Sequence, residues 1–221
     1  MPINRLQLNN TVLAYVSTFC SEVVVGEVEP ASRNEMIQRC TDKLVKQQCY
    51  CVWRLLDYAL RDCYGKGVKD FNLYQNERGK WICGNSGVHF SLAHCNNVVV
   101  VALCSVAVGV DVESVANFAR HANDSRFAER ILTANEQTAL RNTPDCKRTE
   151  LLAKMWTQKE SAFKLQDRTS FVAKSFDTTK HAVNSRFLSI DGEQYALSVA
   201  ARREGNATKP PVEIKHVKIE W

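Results

Sequence analysis

Trp156-Thr157-Gln158-Lys159-Glu160-Ser161-Ala162-Phe163-Lys164 is the stretch from which the fold of this chain is read. Around it Leu151, Leu152, Met155, Trp156, Ala162 and Phe163 mark one apolar side, so the spacing predicts a long amphipathic helix over residues 145–165. Glu160 stands one helical turn before Lys164, and Trp156 one turn ahead of both. Just upstream, Thr133-Ala134-Asn135-Glu136 has the form of a capping box and predicts a shorter helix, with Pro144 beyond its end. Downstream, strand-like runs at 186–190 and 195–201 flank an Asp191-Gly192 turn, and a third run at 212–219 follows Pro210-Pro211.

The same succession is legible in the first half. Helical periodicity from about Ser32 to Tyr64 places Leu44, Val45, Gln48, Val52, Leu55, Leu56, Ala59 and Cys63 on one face, and Gly65 and Gly67 end it. Short strand-like pieces follow at 71–74, 80–83 and 88–92, then a valine-rich run at 98–104 with the composition of a buried strand. Asn96-Asn97 is the expected hairpin turn between the last two, and a further strand is expected at 108–112. Residues 1–30 alternate weakly, and short strands or irregular structure fit them equally. The expected fold is α+β: a pseudo-duplicated pair of similar α/β halves, each a long helix packed on a small, mainly antiparallel sheet. The joint is placed at Ser105 to Ala107, giving halves of 1–106 and 107–221.

Composition narrows the function classes. The 221 residues suffice for one large domain or two small halves, and at 45% hydrophobic and 24% charged the chain is expected to fold throughout. A net charge of +5 suits a negatively charged ligand, phosphate included. No dense Lys/Arg stripe is interleaved with aromatics, so a nucleic-acid partner is not expected. The nine cysteines are odd in number and include no CxxC pair, which favours reduced thiols over a disulfide or zinc framework. No signal-peptide pattern is present, and the longest apolar run, 98–108, is too short for a membrane helix, so a cytoplasmic monomer is expected.

The chemistry rests on Gly109-Val110-Asp111-Val112-Glu113. One residue apart in a strand, Asp111 and Glu113 project from the same face and offer a pair of hard oxygen donors. Glu160 is the candidate third carboxylate, in an incomplete oxygen shell that suits Mg²⁺ because that ion keeps waters and shares substrate phosphates. Lys164 is placed to balance charge developing on a phosphate. Taken singly, each has an ordinary reading: Asp-x-Glu at a strand end is usually surface, and Glu160 with Lys164 is usually an i,i+4 ion pair. The same holds for His94, more often a hydrogen-bonded structural residue, and for Lys80, which reads as exposed.

Together these residues resemble the 4′-phosphopantetheinyl transferases, and within them the Sfp-type class with two similar halves in one chain. Phe90-Ser91-Leu92-Ala93-His94, Gly109-Val110-Asp111-Val112-Glu113 and Trp156-x-x-Lys159-Glu160-x-x-x-Lys164 match the signatures in order, within a likeness covering roughly residues 40–200. The resemblance implies Mg²⁺-dependent transfer of phosphopantetheine from coenzyme A to a serine hydroxyl of an apo acyl or peptidyl carrier protein, releasing adenosine 3′,5′-bisphosphate. It implies that Asp111, Glu113 and Glu160 hold Mg²⁺, that Glu160 also helps deprotonate the serine, and that Lys164 steadies the leaving phosphate. Lys80 and His94 are implied as coenzyme A phosphate contacts, in a first half that grips the co-substrate.

The sequence departs from the family pattern at Ala93 and Cys95, where serines are common, at Trp81, where a proline often follows the lysine, and at Gln48, where an arginine is common. Leu165-Gln166-Asp167-Arg168-Thr169 stands where a glycine-containing turn usually follows the catalytic helix. Arg33, Arg39, Lys43 and Lys46 are the candidates for a replacement basic contact. Two other classes are kept: a Mg²⁺-dependent nuclease, disfavoured because such sites want Glu and Lys at alternate positions of one strand, and a non-catalytic carrier-binding relative, expected to have lost a metal carboxylate.

Overall fold

The computed structural model describes residues 11–84, 87–179, 183–202 and 210–221. The expected mixed α+β architecture is present, as two compact units: residues 1–108 with 211–221, and residues 109–210. The units divide between Val108 and Gly109, just beyond the expected joint at Ser105 to Ala107. The tail departs from the expected halves of 1–106 and 107–221, because residues 211–221 pack with the first unit.

Backbone pairing explains that return. In the first unit strand β1 (Val12–Thr18) lies between β5 (Val98–Cys104) and β9 (Val212–His216) in a sheet ordered β4-β5-β1-β9, with β4 spanning His89–Cys95. β1 runs antiparallel to β5, with Leu13 opposite Leu103, and parallel to β9, with Val12 opposite Val212. Lys215 on β9 reaches Asp62 at 2.8 Å, and the Trp221 indole donates to the Thr18 carbonyl at 2.8 Å. The weak alternation of the N-terminal stretch has a physical cause: all but the last residue of β1 are buried, so no polar face marks the period. Residues 1–10 lie outside the described residues.

The helical stretch from Ser32 to Tyr64 is two helices, α1 (Ala31–Arg39) and α2 (Lys43–Tyr64). Asp42 causes the break by acting as N-cap, its carboxylate accepting from the Val45 amide at 2.9 Å. Gly65 ends α2 in the left-handed region at φ 67°, where a side chain would be strained. The buried side of α2 packs on β1, β4 and β5 through Val52, Leu55, Leu56, Ala59 and Leu60, against Val99, Val101 and Leu103. A two-stranded ribbon, β2 (Leu73–Gln75) with β3 (Trp81–Cys83), adjoins them.

In the second unit β6 (Val108–Ser114) leads into a 3₁₀ segment, Val115–His121. Short helices α3 (Ser125–Ile131) and α4 (Ala134–Arg141) follow, then α5 (Asp145–Gln166), then the hairpin of β7 (Asn184–Ile190) and β8 (Glu193–Ala201). The expected capping box forms, Thr133 accepting from the Glu136 amide at 3.3 Å and Glu136 from the Thr133 amide at 2.8 Å. Asp191 and Gly192 both take positive φ, the two-residue turn that matches strand twist. The sheet order is β6-β8-β7, so the second hairpin strand lies beside the first strand of the unit, as β5 lies beside β1 in the other. Among the described residues no helix is long and apolar enough to cross a membrane.

Candidate active site

Gly109 sets how closely α5 approaches β6. A Cβ built there would stand 2.0 Å from the Ser161 carbonyl oxygen and 2.6 Å from the Leu165 amide nitrogen, so helix backbone occupies the space where any other residue carries its side chain. Strand alternation puts Asp111 and Glu113 on that same helix-facing side, with Val110 and Val112 fully buried on the other. Gly109→Ala therefore forces backbone apart rather than a flexible side chain. A loss of about 3 kcal/mol is expected, the upper end for overpacking, read as a lowered urea midpoint; a variant with the wild-type midpoint contradicts the close approach.

The helix returns a cation to this face. Lys164 Nζ lies 2.8 Å from Asp111 Oδ1 and donates to the Val110 carbonyl at 3.1 Å. Asp111 is 7% exposed, and its Oδ2 is buried without a hydrogen-bond partner. Burial pushes the Asp111 carboxyl above the ordinary carboxylate range, with Lys164 pulling it back. Glu160 is pushed up to about 7, by burial first and then by the like charge of Asp111, with Glu113 adding to the rise and Lys164 opposing it. Asp111 and Glu113 of β6 thus both act on Glu160 across the β6–α5 seam.

The carboxylates fit a divalent cation in donor chemistry: hard oxygens whose repulsion a cation relieves, one of them buried with an unused lone-pair direction. They do not form a closed shell, since among the described residues no three His, Cys, Asp or Glu side chains are gathered as a formed metal site. Glu113 is half-buried, and Asn117 Nδ2 approaches its Oε2 at 3.5 Å. Beside it opens a cleft of about 680 Å³ lined by Glu113, Asn117, Phe118, Arg120, His121 and Trp156.

Lys159, the neighbour of Glu160 in the motif, points elsewhere. Its side chain is fully buried 2.8 Å from Glu136 Oε2, itself fully buried, and it donates to the carbonyls of Ala173 and Phe176. The other Glu136 oxygen accepts from the amide and hydroxyl of Thr178 at 2.8 and 2.7 Å. This pair ties α4 and the 173–178 segment to α5. The sequence marks Glu136 as a capping-box acid, and the family resemblance also puts an acidic residue at Asn135-Glu136, but its pairing with Lys159 leaves no local sign.

Lys80 and His94 lie in the first unit. Lys80 sits in the turn before β3, its amide donating to Asn76 Oδ1 at 3.0 Å, and is half-buried. His94 is exposed on β4, paired in register with Val99. His89, five residues earlier and so on the opposite face of β4, has its imidazole held below the ordinary value by burial and by Lys80. Of the other basic candidates, Arg33 is buried over the rings of Trp53 at 4.8 Å and Trp81 at 5.9 Å, while Arg39 pairs with Glu35. Lys46 donates to the Gln38 carbonyl at 3.3 Å, and Lys43 is exposed. The departures also have local roles: Gln48 Nε2 donates to the Asn96 carbonyl at 2.8 Å, Ala93 and Cys95 are buried, and Asp167 takes the left-handed cap of α5 at φ 50°. An aspartate tolerates that conformation, which accounts for the missing glycine.

Residues 107–210, which hold β6, α5 and all four residues of the acidic and lysine cluster, match the family described as the 4′-phosphopantetheinyl transferase superfamily. The match supports a transferase. No curated protein matches the chain.

Proposed function

We propose that this protein transfers 4′-phosphopantetheine from coenzyme A to a serine hydroxyl of an apo acyl or peptidyl carrier protein. The observation that carries the proposal is the β6–α5 seam inside the matched segment, where Asp111 and Glu113 both repel Glu160 and Lys164 pairs with Asp111. In the reaction the serine oxygen forms a bond to the phosphorus that carries the pantetheine arm, and the bond from that phosphorus to the adenosine bisphosphate oxygen breaks. Glu160 is proposed to take the serine proton as general base. Lys164, held by Asp111 and the Val110 carbonyl, offers positive charge to the departing phosphate. Asp111, Glu113 and Glu160 would hold Mg²⁺, which when bound neutralises pyrophosphate charge and polarises the phosphorus. Lys80 and His94 are proposed as coenzyme A phosphate contacts.

The Sfp-type reading, with two related halves, draws support from position as well as topology. β1 and β6 are both seven residues long, and α2 and α5 both 22. Tyr15 and Asp111 are each fourth in their strand, Asp62 and Lys164 each twentieth in their helix, and both pairs touch, at 2.6 and 2.8 Å. By the same count Ser17 answers Glu113 and Tyr58 answers Glu160. On this reading the first unit repeats the frame with Tyr15, Ser17 and Tyr58 in place of the three carboxylates, which would leave one catalytic cluster per chain and a half free to grip the co-substrate.

Incubation with coenzyme A, Mg²⁺ and a panel of apo carriers tests the reaction. The expected result is a carrier heavier by one phosphopantetheine with adenosine 3′,5′-bisphosphate released in equal amount. Cleavage of a phosphodiester substrate with no carrier modified identifies a nuclease, and carrier capture without mass gain identifies a binding relative.

A further inference from the structure

We infer that the first unit holds a small monovalent anion, chloride, between the Arg33 guanidinium and the Trp81 indole N–H. Arg33, on α1, is 4% exposed, and among the described residues no carboxylate pairs with it. Its hydrogen bond runs from Nη2 to the Cys49 carbonyl at 2.8 Å, while its Nε is buried without a partner. A charge taken out of water without a counter-charge is costly. Burial accordingly holds this guanidinium below its ordinary value, opposed by nearby thiols rather than by carboxylates.

A second donor stands beside it. Trp81, on β3, is 7% exposed, and its Nε1 is also buried without a partner. Neighbouring Trp53 on α2 shows the usual arrangement, its indole donating to the Glu29 carbonyl at 2.6 Å. The Arg33 guanidinium lies over both rings, 4.8 Å from the centre of Trp53 and 5.9 Å from that of Trp81, and the two rings meet edge to face at 4.8 Å. Two N–H bonds of about 3 Å each span such a separation, so one acceptor can serve both orphan donors.

The chemistry of the walls selects that acceptor. Guanidinium and indole N–H donate and do not accept, so the guest must accept from both. One negative charge balances one guanidinium, whereas a doubly charged phosphate would leave a net charge in the core and bring a larger desolvation cost. The indole faces attract the cation, and the positive ring edge that carries the N–H favours an anion. A water would satisfy the donors but leave the charge unbalanced. The ion would join three elements, and α1 gains most, since only Arg33 and Ile37 of its nine residues are buried. A proline at position 81 would carry no side-chain donor, so the site belongs to the departure of this chain from the family pattern.

The test exchanges chloride for gluconate at constant ionic strength, which keeps screening the same in every sample, and follows the Tm of the full chain and its broadening of the ³⁵Cl NMR line. The Tm is expected to climb with chloride and to stand about 2–4 °C higher once chloride is at about five times its dissociation constant, with excess line width in the same range. Trp81→Phe keeps the ring and removes only the N–H, and Arg33→Met removes the charge; in each, both responses are expected to fall to a small fraction of the wild-type size. Trp81→Phe carries the test where Arg33→Met fails to fold. A Tm equal in chloride and gluconate overturns the proposal and leaves the donors to a water. A response to phosphate alone overturns it in favour of an oxyanion, and a chloride response undiminished in Trp81→Phe places the ion elsewhere.

Discussion

Lys159→Met lowers the stability of the protein by about 3–5 kcal/mol, the range for removing one partner of a buried ion pair. Glu136 would be left charged and fully buried, with the Thr133 and Thr178 groups still donating to it but no cation beside it. Set against a typical total of about 5–15 kcal/mol, such a loss is roughly a fifth of the stability or more. The cost comes chiefly from the stranded charge, so Lys159→Met with Glu136→Gln is expected to recover part of it. The four urea midpoints of that cycle isolate the coupling. An exposed pair such as Arg39–Glu35, with side chains 80% and 65% exposed, provides the contrast, and its removal is expected to leave the midpoint unchanged. A Lys159→Met protein with the wild-type midpoint would show that the 173–178 segment is held to α5 by other contacts.

Lys159 also marks where sequence reading stops. It lies beside Glu160 in the motif, yet consecutive helix residues point about 100° apart, and only the fold reveals that one faces Glu136 and the other the carboxylates of β6. What was legible was local. The period of α5, the alternation of Asp111 and Glu113, the Thr133 cap and the turns at Asn96 and Asp191 each depend on residues within a few positions of one another. Gly109 belongs to the Gly109–Glu113 motif, but its reason lies in Ser161 and Leu165, more than fifty residues on, and alternation within β6 gives no hint of helix backbone at 2.0 Å from its would-be Cβ. β9 joined the wrong half for the same cause: its partner is β1, two hundred residues earlier, and pairing across that distance leaves no pattern in either strand.

Glu160→Gln is expected to reduce phosphopantetheine transfer by about 10²–10⁴-fold, the range for losing a general base, and to make the metal-free protein more stable rather than less. The second expectation follows from linkage. The Glu160 carboxyl is raised to about 7 in the fold from an ordinary value of 4.5, so between these values the unfolded chain has released a proton that the native protein still holds. Stability contributed by the protonated group is full below 4.5, falls as pH rises through the window, and stays low above 7. A glutamine does not titrate, so the stability advantage of the variant grows across that window and is largest at pH 8. Added Mg²⁺ is expected to raise the Tm of the wild type at pH 8 and to do so far less in Glu160→Gln, because relief of carboxylate repulsion is the source of the gain. Asp111→Ala separates the two roles: on the proposed reaction it is also expected to abolish transfer, but it removes the 2.8 Å partner of Lys164 and is expected to lose stability. Transfer at the wild-type rate in a folded Glu160→Gln protein would remove Glu160 from the reaction, and a stability difference that is flat with pH would mean that its carboxylate is not strained by burial and by Asp111.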